Sequence, residues 1–432
     1  MYDKVCIKTR LPGPKSKPIL EKMKKLNGGW SIPYPFSPSR KGKGCYFEDI
    51  DKNVFLDFAC HYGSNPLGYN HQDLIRIVKE YASVSPIKIA GPDFYTKEHM
   101  TILEELVKIA PNGMNQAFIV NSGAEAVENA MKICMRHKSS GKFGVSFKNG
   151  FHGRTLGALS MTNTKVAHKL AFHQLPAHRL PFDETAPQFL YDIIKREGGE
   201  QNISFLIMEP IQGEGGYNVA PLKMVKEIRK ITKENNIPLI SDEVQAGMGR
   251  TGKWWSIEHF KVKPDVITVA KALKVGATIS SKKMFPKMEG SISSTWGGGQ
   301  LIDMMVGVET IKIIKRGKLL AKNTKNGEYI LDRLRELQCK HPEIQNIRGK
   351  GLMIAFDFPN KRFRDHIQLT FVKNGLVTIG CGSSGVRLIP PYVITKKEID
   401  EAFEIIESSL QEAHKKHKQD IGNFYRYGEH SA

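Results

Sequence analysis

A chain of 432 residues is longer than one ordinary hydrophobic core sustains and implies two domains. With 40% apolar and 25% charged residues it has the composition of a globular protein, and no run approaches the roughly 20 apolar residues of a membrane span. The net charge of +20 is spread along the whole chain with no RNA-binding motif and no series of stacking aromatics, so it reads as a lysine-rich surface that attracts anionic substrates, not as a nucleic-acid interface.

The opening residues, Met1-Tyr2-Asp3-Lys4-Val5-Cys6, hold no apolar secretory core. The six cysteines (Cys6, Cys45, Cys60, Cys134, Cys339 and Cys381) are scattered without a Cys-x-x-Cys pair. That argues against a disulfide framework and against a zinc or iron–sulfur site, and it implies a reducing, cytoplasmic compartment. Residues 27–44 read as a loop rich in Gly and Pro. Residues 45–49 and 54–58, joined by Asp51-Lys52-Asn53, alternate like a hairpin, and two amphipathic helices follow between residues 73 and 111.

Strand–loop–helix units come next. Gln116-Ala117-Phe118-Ile119-Val120 is a strand, and Asn121-Ser122-Gly123-Ala124 turns directly into a helix that runs to about residue 137. Residues 144–147 and 205–208 are further strands. Two short β-branched runs, 238–245 and 264–271, are apolar on both faces, as strands buried inside a parallel sheet are. Strands alternating with helices predict an α/β fold with a mostly parallel, wound central sheet wrapped by helices. After Trp296-Gly297-Gly298-Gly299 a long helix (301–316) leads into a smaller α+β region, and the tail beyond residue 414 is basic, then polar. We therefore expect an N-terminal segment (1–58) that joins the small domain, a large domain (59–310) and a C-terminal small domain (311–432).

The chemistry sits where those strands end. One buried run contains Asp242 and the other finishes in Lys271, and open α/β sheets place their reactive groups at the carboxyl ends of strands. A lysine at an apolar strand end has its pKa lowered by desolvation and can form an imine, with Lys274 three residues on as the rival. A buried aspartate needs a cation facing it; a protonated heteroaromatic nitrogen serves, and so would a structural lysine. Strand alternation puts Val244 on the same side as Asp242, ready to pack on a ring face. Ser122-Gly123-Ala124, at a strand-to-helix turn, offers free N–H groups to a phosphate, or else Ser122 is simply a helix cap. In the loop Phe147-Lys148-Asn149-Gly150-Phe151-His152-Gly153-Arg154, Phe151 can stack on a planar ring and Arg154 can clamp a carboxylate. His152 is either a base or a structural histidine. Glu209 and Glu214 lie in a glycine-rich loop with no histidine near them in sequence to complete a metal set, so no metal is expected. Arg387, in the apolar segment Gly385-Val386-Arg387-Leu388-Ile389-Pro390-Pro391, needs a carboxylate partner: Glu214, a substrate, or each in turn.

Together these motifs (NSGAEAVENAMK, FHGRT, EPIQGEGG, SDEVQAGMGRTGKWW, PDVITVAKA and GVRLIPPY, in that order) resemble those of the class III aminotransferases, pyridoxal 5′-phosphate enzymes of fold type I. The resemblance runs from about residue 44 to about residue 405. It implies that Lys271 carries the cofactor as an imine and shuttles the proton, that Asp242 pairs with the pyridine nitrogen, and that Phe151 and Val244 sandwich the ring. Gln245 would sit by the ring hydroxyl, and Ser122, Gly123 and Ala124 would hold the phosphate. Thr295 resembles the threonine that reaches the phosphate from the partner subunit of a homodimer with shared sites. One departure stands out: Lys271-Ala272-Leu273-Lys274-Val275-Gly276 lacks the usual glycine pair soon after the lysine.

Within the family, residues 66–71, 294–298 and 348–353 are similar to the 4-aminobutyrate and L-lysine 6-aminotransferase branch. That implies transfer of the terminal amine of an ω-amino acid to 2-oxoglutarate, with L-lysine or L-ornithine as alternative donors and amino-acid racemisation as a rival on the same fold. Arg387 would bind the α-carboxylate of the keto acid, Arg154 the distal one, and Glu214 would neutralise Arg387 when the donor brings no carboxylate there. Tyr62 matches the position of a tyrosine that contacts the α-carboxylate in ornithine aminotransferases, or else fills the pocket wall.

Overall fold

The computed structural model describes residues 2–29, 34–83, 94–292, 298 and 300–417, with side chains as far as residue 413. The chain divides into two compact units, one of residues 1–71, 325–348 and 354–432, the other of residues 72–324 and 349–353. The sequence places the joints at 58/59 and 310/311. The first unit instead keeps residues 59–71, because Tyr69 and Gly44 exchange backbone hydrogen bonds of 2.8 and 3.1 Å.

The smaller unit opens with a helix, Ser16–Leu26. Strands β1 (Pro38–Lys43), β2 (Tyr46–Asp49) and β3 (Val54–Asp57) then form an antiparallel meander. The hairpin expected at 45–58 is present, and β1 is paired where the sequence reads as loop. The turn between β2 and β3 also ties down the N-terminus. Asn53 Oδ1 accepts from the N–H groups of Lys8 and Thr9, and the Asp51 carboxylate accepts from those of Lys15 and Ser16.

The larger unit carries strands β4 (Gln116–Val120), β5 (Phe143–Phe147), β6 (Ala177–Leu180), β7 (Ile203–Met208), β8 (Leu239–Asp242), β9 (Val266–Val269) and β10 (Gly276–Ser280). They make one sheet in the order β4-β10-β9-β8-β7-β5-β6. Pairings among β9, β8, β7, β5 and β6 are all parallel. Only β10 is reversed, antiparallel to both β4 and β9. Strands β5, β7, β8, β9 and β10 are buried along their whole length, which is why their sequences are apolar without alternation. The helix Gly123–His137 crosses the sheet and buries Val127, Ala130, Met131, Ile133 and Cys134 against Phe205, Ile207, Ile240 and Val266. The helix Leu301–Arg316 has the bounds its sequence implies.

Glu243, just past β8, is fully buried. Its carboxylate accepts from Ser256 N (2.8 Å), Ser256 Oγ (2.7 Å), Ile257 N (2.9 Å) and Ser241 Oγ (3.0 Å), and so fixes the loop that leaves the sheet.

The chain then returns to the smaller unit. After the helix Leu319–Lys340 come β11 (Gln345–Lys350), β12 (Met353–Asp357), β13 (Leu376–Val377), β14 (Ile379–Cys381) and β15 (Gly385–Leu388). Strand β13 adds to β3 in parallel, while β11-β12-β15-β14 form a second small sheet. The helix Lys396–His417 is the last described element. No described helix is long and apolar enough to cross a membrane.

Candidate active site

Strands β4, β5, β7, β8 and β9 all run the same way, so their carboxyl ends share one edge of the sheet. Every site residue expected from the larger unit within the described residues lies at one of those ends or in the loop that follows it; Thr295 falls outside the described residues. In register, Asp242 at the tip of β8 faces Thr268 of β9, and Thr268 Oγ1 donates to Asp242 Oδ1 at 3.2 Å. The N–H of Val244 donates to the same oxygen at 3.1 Å, and His152 Nδ1 lies 2.8 Å from Asp242 Oδ2. Asp242 and His152 are both buried. His152 therefore positions the carboxylate and is no solvent-facing base; its Nε2 has no hydrogen-bond partner among the described residues.

Strand β8 stops at Asp242, so alternation does not apply to Val244 as expected from the sequence. The turn closed by the Val244 N–H directs the residue instead. Its Cγ1 lies 2.8 Å from where a Cβ on Gly123 would stand, and the Cβ of Ala270 lies 3.4 Å from the same point. Thus the start of the helix Gly123–His137, the second residue past β8 and the residue before Lys271 converge on one spot where only glycine fits. Lys271 itself takes φ 33° and Lys274 φ 73°, left-handed values that lysines rarely adopt.

Ser122 caps its helix: Ser122 Oγ accepts from Glu125 N at 3.2 Å, and the Glu125 carboxylate accepts from the N–H groups of Asn121 and Ser122 at 2.8 and 2.9 Å. The cap therefore uses the Ser122 N–H. The N–H groups of Gly123 and Ala124, among those a helix start leaves unpaired, remain for an anion.

The loop after β5 is pressed onto this turn, since a Cβ on Gly153 would stand 2.8 Å from the Ala124 Cβ. It carries Phe151, whose ring lies under the Arg154 guanidinium with 5.9 Å from Cζ to the ring centroid. Glu209, past β7, clamps two loops: Oε2 accepts from Phe151 N and Oε1 from Gly213 N, both at 2.8 Å. Gln245 Oε1 lies 2.7 Å from where a Cβ on Gly213 would stand, which places Gln245 against the glycine-rich loop. Glu214 on that loop pairs with Lys165 at 3.5 Å, and the His168 ring stands edge-on to Phe151 with 6.2 Å between centroids. Sequence reasoning missed Lys165 and His168, which sit in a polar stretch without periodicity.

Burial raises the Glu209 carboxyl to about 7, with the Asp242 charge acting in the same sense against His152 and the two N–H donors. Its ordinary value is 4.5, so the protonated form is the one folding favours. That contribution is complete below about 4.5 and is lost as pH rises through about 7. Glu209→Gln is expected to flatten the pH dependence of the denaturant midpoint across this window; an unchanged slope would refute the assignment.

In the smaller unit Arg387, on β15, is 2% exposed, and its Nη2 donates to Gly380 O at 2.8 Å. Tyr62 lies against it, with 5.6 Å from the Arg387 Cζ to the ring centroid. Cys60, His61 and Tyr62 all take left-handed backbone, φ 48°, 47° and 58°. Such a run costs on the order of 1–2 kcal/mol per residue unless its surroundings enforce it.

A sequence model described as aminotransferase class-III matches residues 32–410. The chain is a class III aminotransferase. A 4-aminobutyrate aminotransferase of Dictyostelium discoideum is 31% identical, over 96% of this chain and 92% of its own length. An alanine/serine racemase of Pyrococcus horikoshii is also 31% identical, over 95% of this chain and 93% of its own. Among solved structures, a lysine aminotransferase from M. tuberculosis superposes with a TM-score of 0.84 at 26% identity, covering 92% of this chain and 99% of its own. Within this class III aminotransferase, the strand-tip residues Lys271, Asp242, Gly123, Ala124, Phe151, Val244 and Gln245 belong to one compact unit, while Arg387 and Tyr62 belong to the other.

Proposed function

We propose that this class III aminotransferase binds pyridoxal 5′-phosphate and moves the terminal amine of an ω-amino acid, 4-aminobutyrate or a close analogue, to 2-oxoglutarate, giving a semialdehyde and L-glutamate. The observation that carries this reading is that neighbouring parallel strands end in these two groups, β8 in Asp242 and β9 two residues before Lys271. The donor set fits the cofactor: a buried carboxylate for a ring nitrogen, two helix-start N–H groups for a phosphate, an aromatic face at Phe151 and an amine at Lys271. When bound, the cofactor supplies an electron sink for the carbon that bears the amine.

The chain's own groups do the rest. Asp242, fixed by His152 and Thr268, keeps a proton on the ring nitrogen. Lys271 Nζ carries a proton from the donor carbon and returns one to the acceptor carbon. Phe151 and Val244 would cover the two faces of the cofactor ring, and Gln245 would meet its hydroxyl. Arg387 takes the α-carboxylate of the keto acid and Arg154 the distal carboxylate. Glu214 neutralises Arg387 when the donor leaves it without a carboxylate. Glu214→Gln is then expected to slow the ω-amine half-reaction by about tenfold or more while the glutamate half-reaction stays within about twofold. Equal losses in single-turnover spectra would count against this role.

A second donor class, a diamino acid such as L-lysine or L-ornithine, is supported by the Tyr62 ring against Arg387 and by the likeness to the lysine aminotransferase. Loss of the cofactor's visible band with 4-aminobutyrate, L-lysine, L-ornithine and β-alanine side by side decides between them. Deuterium exchange at an α-carbon with no keto product would instead establish racemisation. We also read the enzyme as a cytoplasmic homodimer. Leu156, Val166, Leu170 and Phe172 are large apolar side chains left exposed on the single chain, and no cysteine is disulfide-bonded. A monomer mass in sedimentation would count against the dimer.

A further inference from the structure

The segment that bears Tyr62 is built in a way that packing alone does not require. Three consecutive non-glycine residues hold left-handed backbone, followed by Gly63 at φ 88°. Hydrogen bonds enforce the run from both sides. Asp57 Oδ1 accepts from Ala59 N at 2.8 Å and Cys60 N at 2.7 Å. Ser64 Oγ donates to His61 O at 2.7 Å, and Asn65 N to Cys60 O at 3.1 Å. A side-chain relay closes over the top. The Tyr69 hydroxyl donates to Asp57 Oδ2 at 2.9 Å, and His61 Nε2 lies 3.2 Å from the same hydroxyl. Since the single Tyr69 proton goes to Asp57, the Tyr69 oxygen is left to accept from His61 Nε2–H. The base of the turn is tied to the strand that carries the arginine: Phe58 N donates to Val377 O at 2.8 Å, and Ile389 N, two residues after Arg387, donates to Phe58 O at 2.9 Å.

We propose that Asp57, Tyr69 and His61 form a positioning network that holds Tyr62 on the Arg387 guanidinium and thereby sets how the enzyme grips a substrate carboxylate. Backbone strain persists where surrounding contacts over-determine it, and here the strained run places one side chain against one cation. Tyr62 covers a face of Arg387, and Nη2 is committed to Gly380 O, so the ring and that bond together fix which edge of the guanidinium meets a carboxylate. Tyr69 and His61 touch no substrate themselves; they act through Tyr62. The inference rests on the reading of Arg387 as the carboxylate anchor.

The test uses glutarate, a dicarboxylate without a reacting carbonyl, titrated into the cofactor-loaded enzyme by calorimetry, with thermal midpoints measured alongside. Tyr69→Phe removes one hydroxyl from the relay and is expected to weaken glutarate about 5- to 10-fold, with a matching rise in KM for 2-oxoglutarate and kcat within about twofold. His61→Gly separates positioning from stability, because glycine accepts left-handed backbone without strain. It is expected to weaken glutarate in the same direction while leaving the thermal midpoint unchanged or raised. Wild-type glutarate affinity in both variants, or affinity losses that simply follow a falling midpoint in both, overturns the network. If Tyr69→Phe does not fold, His61→Gly decides alone, since the His61 side chain is exposed. Arg387→Gln is the control. If it leaves glutarate affinity unchanged, the anchor reading falls and takes the network with it; if it weakens glutarate while the two network variants do not, the network alone is wrong.

Discussion

Lys271→Ala is expected to abolish transamination. The lysine follows an apolar strand buried along its whole length, and its neighbour Ala270 touches the turn that starts the helix Gly123–His137. On the proposed reading, removing the amine removes the covalent attachment and the proton carrier at once. The proton transfer alone is worth on the order of 10²–10⁴-fold, and the attachment adds to it. Lys274→Ala tests the rival and is expected to keep activity within a few-fold. The check is a borohydride-fixed pyridoxyl label mapped by peptide mass: it should fall on Lys271 in the wild type and in Lys274→Ala, and be absent from this segment in Lys271→Ala. A label on Lys274 would reverse the assignment.

Asp242→Asn is expected to have the second largest effect. Its carboxylate is 4% exposed and takes three donors, from His152, Val244 and Thr268. The amide keeps the shape but loses the charge, and it must turn an NH₂ toward one of those donors. Losing one partner of a buried charge pair costs about 3–5 kcal/mol, or roughly 10²–10³-fold or somewhat more. We expect weaker retention of pyridoxal phosphate and a kcat reduced by that order. A kcat within about threefold of wild type with unchanged cofactor affinity would remove Asp242 from the ring-nitrogen role.

How far the sequence exposed this site depended on how each residue is held. The strand-tip placement of Asp242 and Lys271 was legible because a charge ending a β-branched apolar run marks where a buried strand stops. The direction of Val244 was not, because a strand's last residue cannot be read from composition and the turn beyond Asp242 follows a hydrogen bond, not a period. Strand β10 was hidden for a related reason: Gly276–Ser280 is short, and nothing local announces that it runs against its neighbours. The helix Ser16–Leu26 was passed over although Ile19, Met23 and Leu26 stand at helical spacing; the apolar stripe is there, but only Ser16 of the helix is buried. The Asp57–Tyr69–His61 network was invisible because it depends on φ angles that Cys60, His61 and Tyr62 do not advertise.

The smaller unit is assembled from both ends of the polypeptide, and this has a consequence during synthesis. Strand β3 leaves the ribosome early, yet its parallel neighbour β13 emerges only after the whole larger unit has been made. At a translation rate of about 5–20 residues per second, the nascent meander waits many seconds with one edge unmatched. The lysines and arginine of β1 on the opposite margin, Arg40, Lys41 and Lys43, give that early fragment charge where a bare sheet border would otherwise recruit another chain.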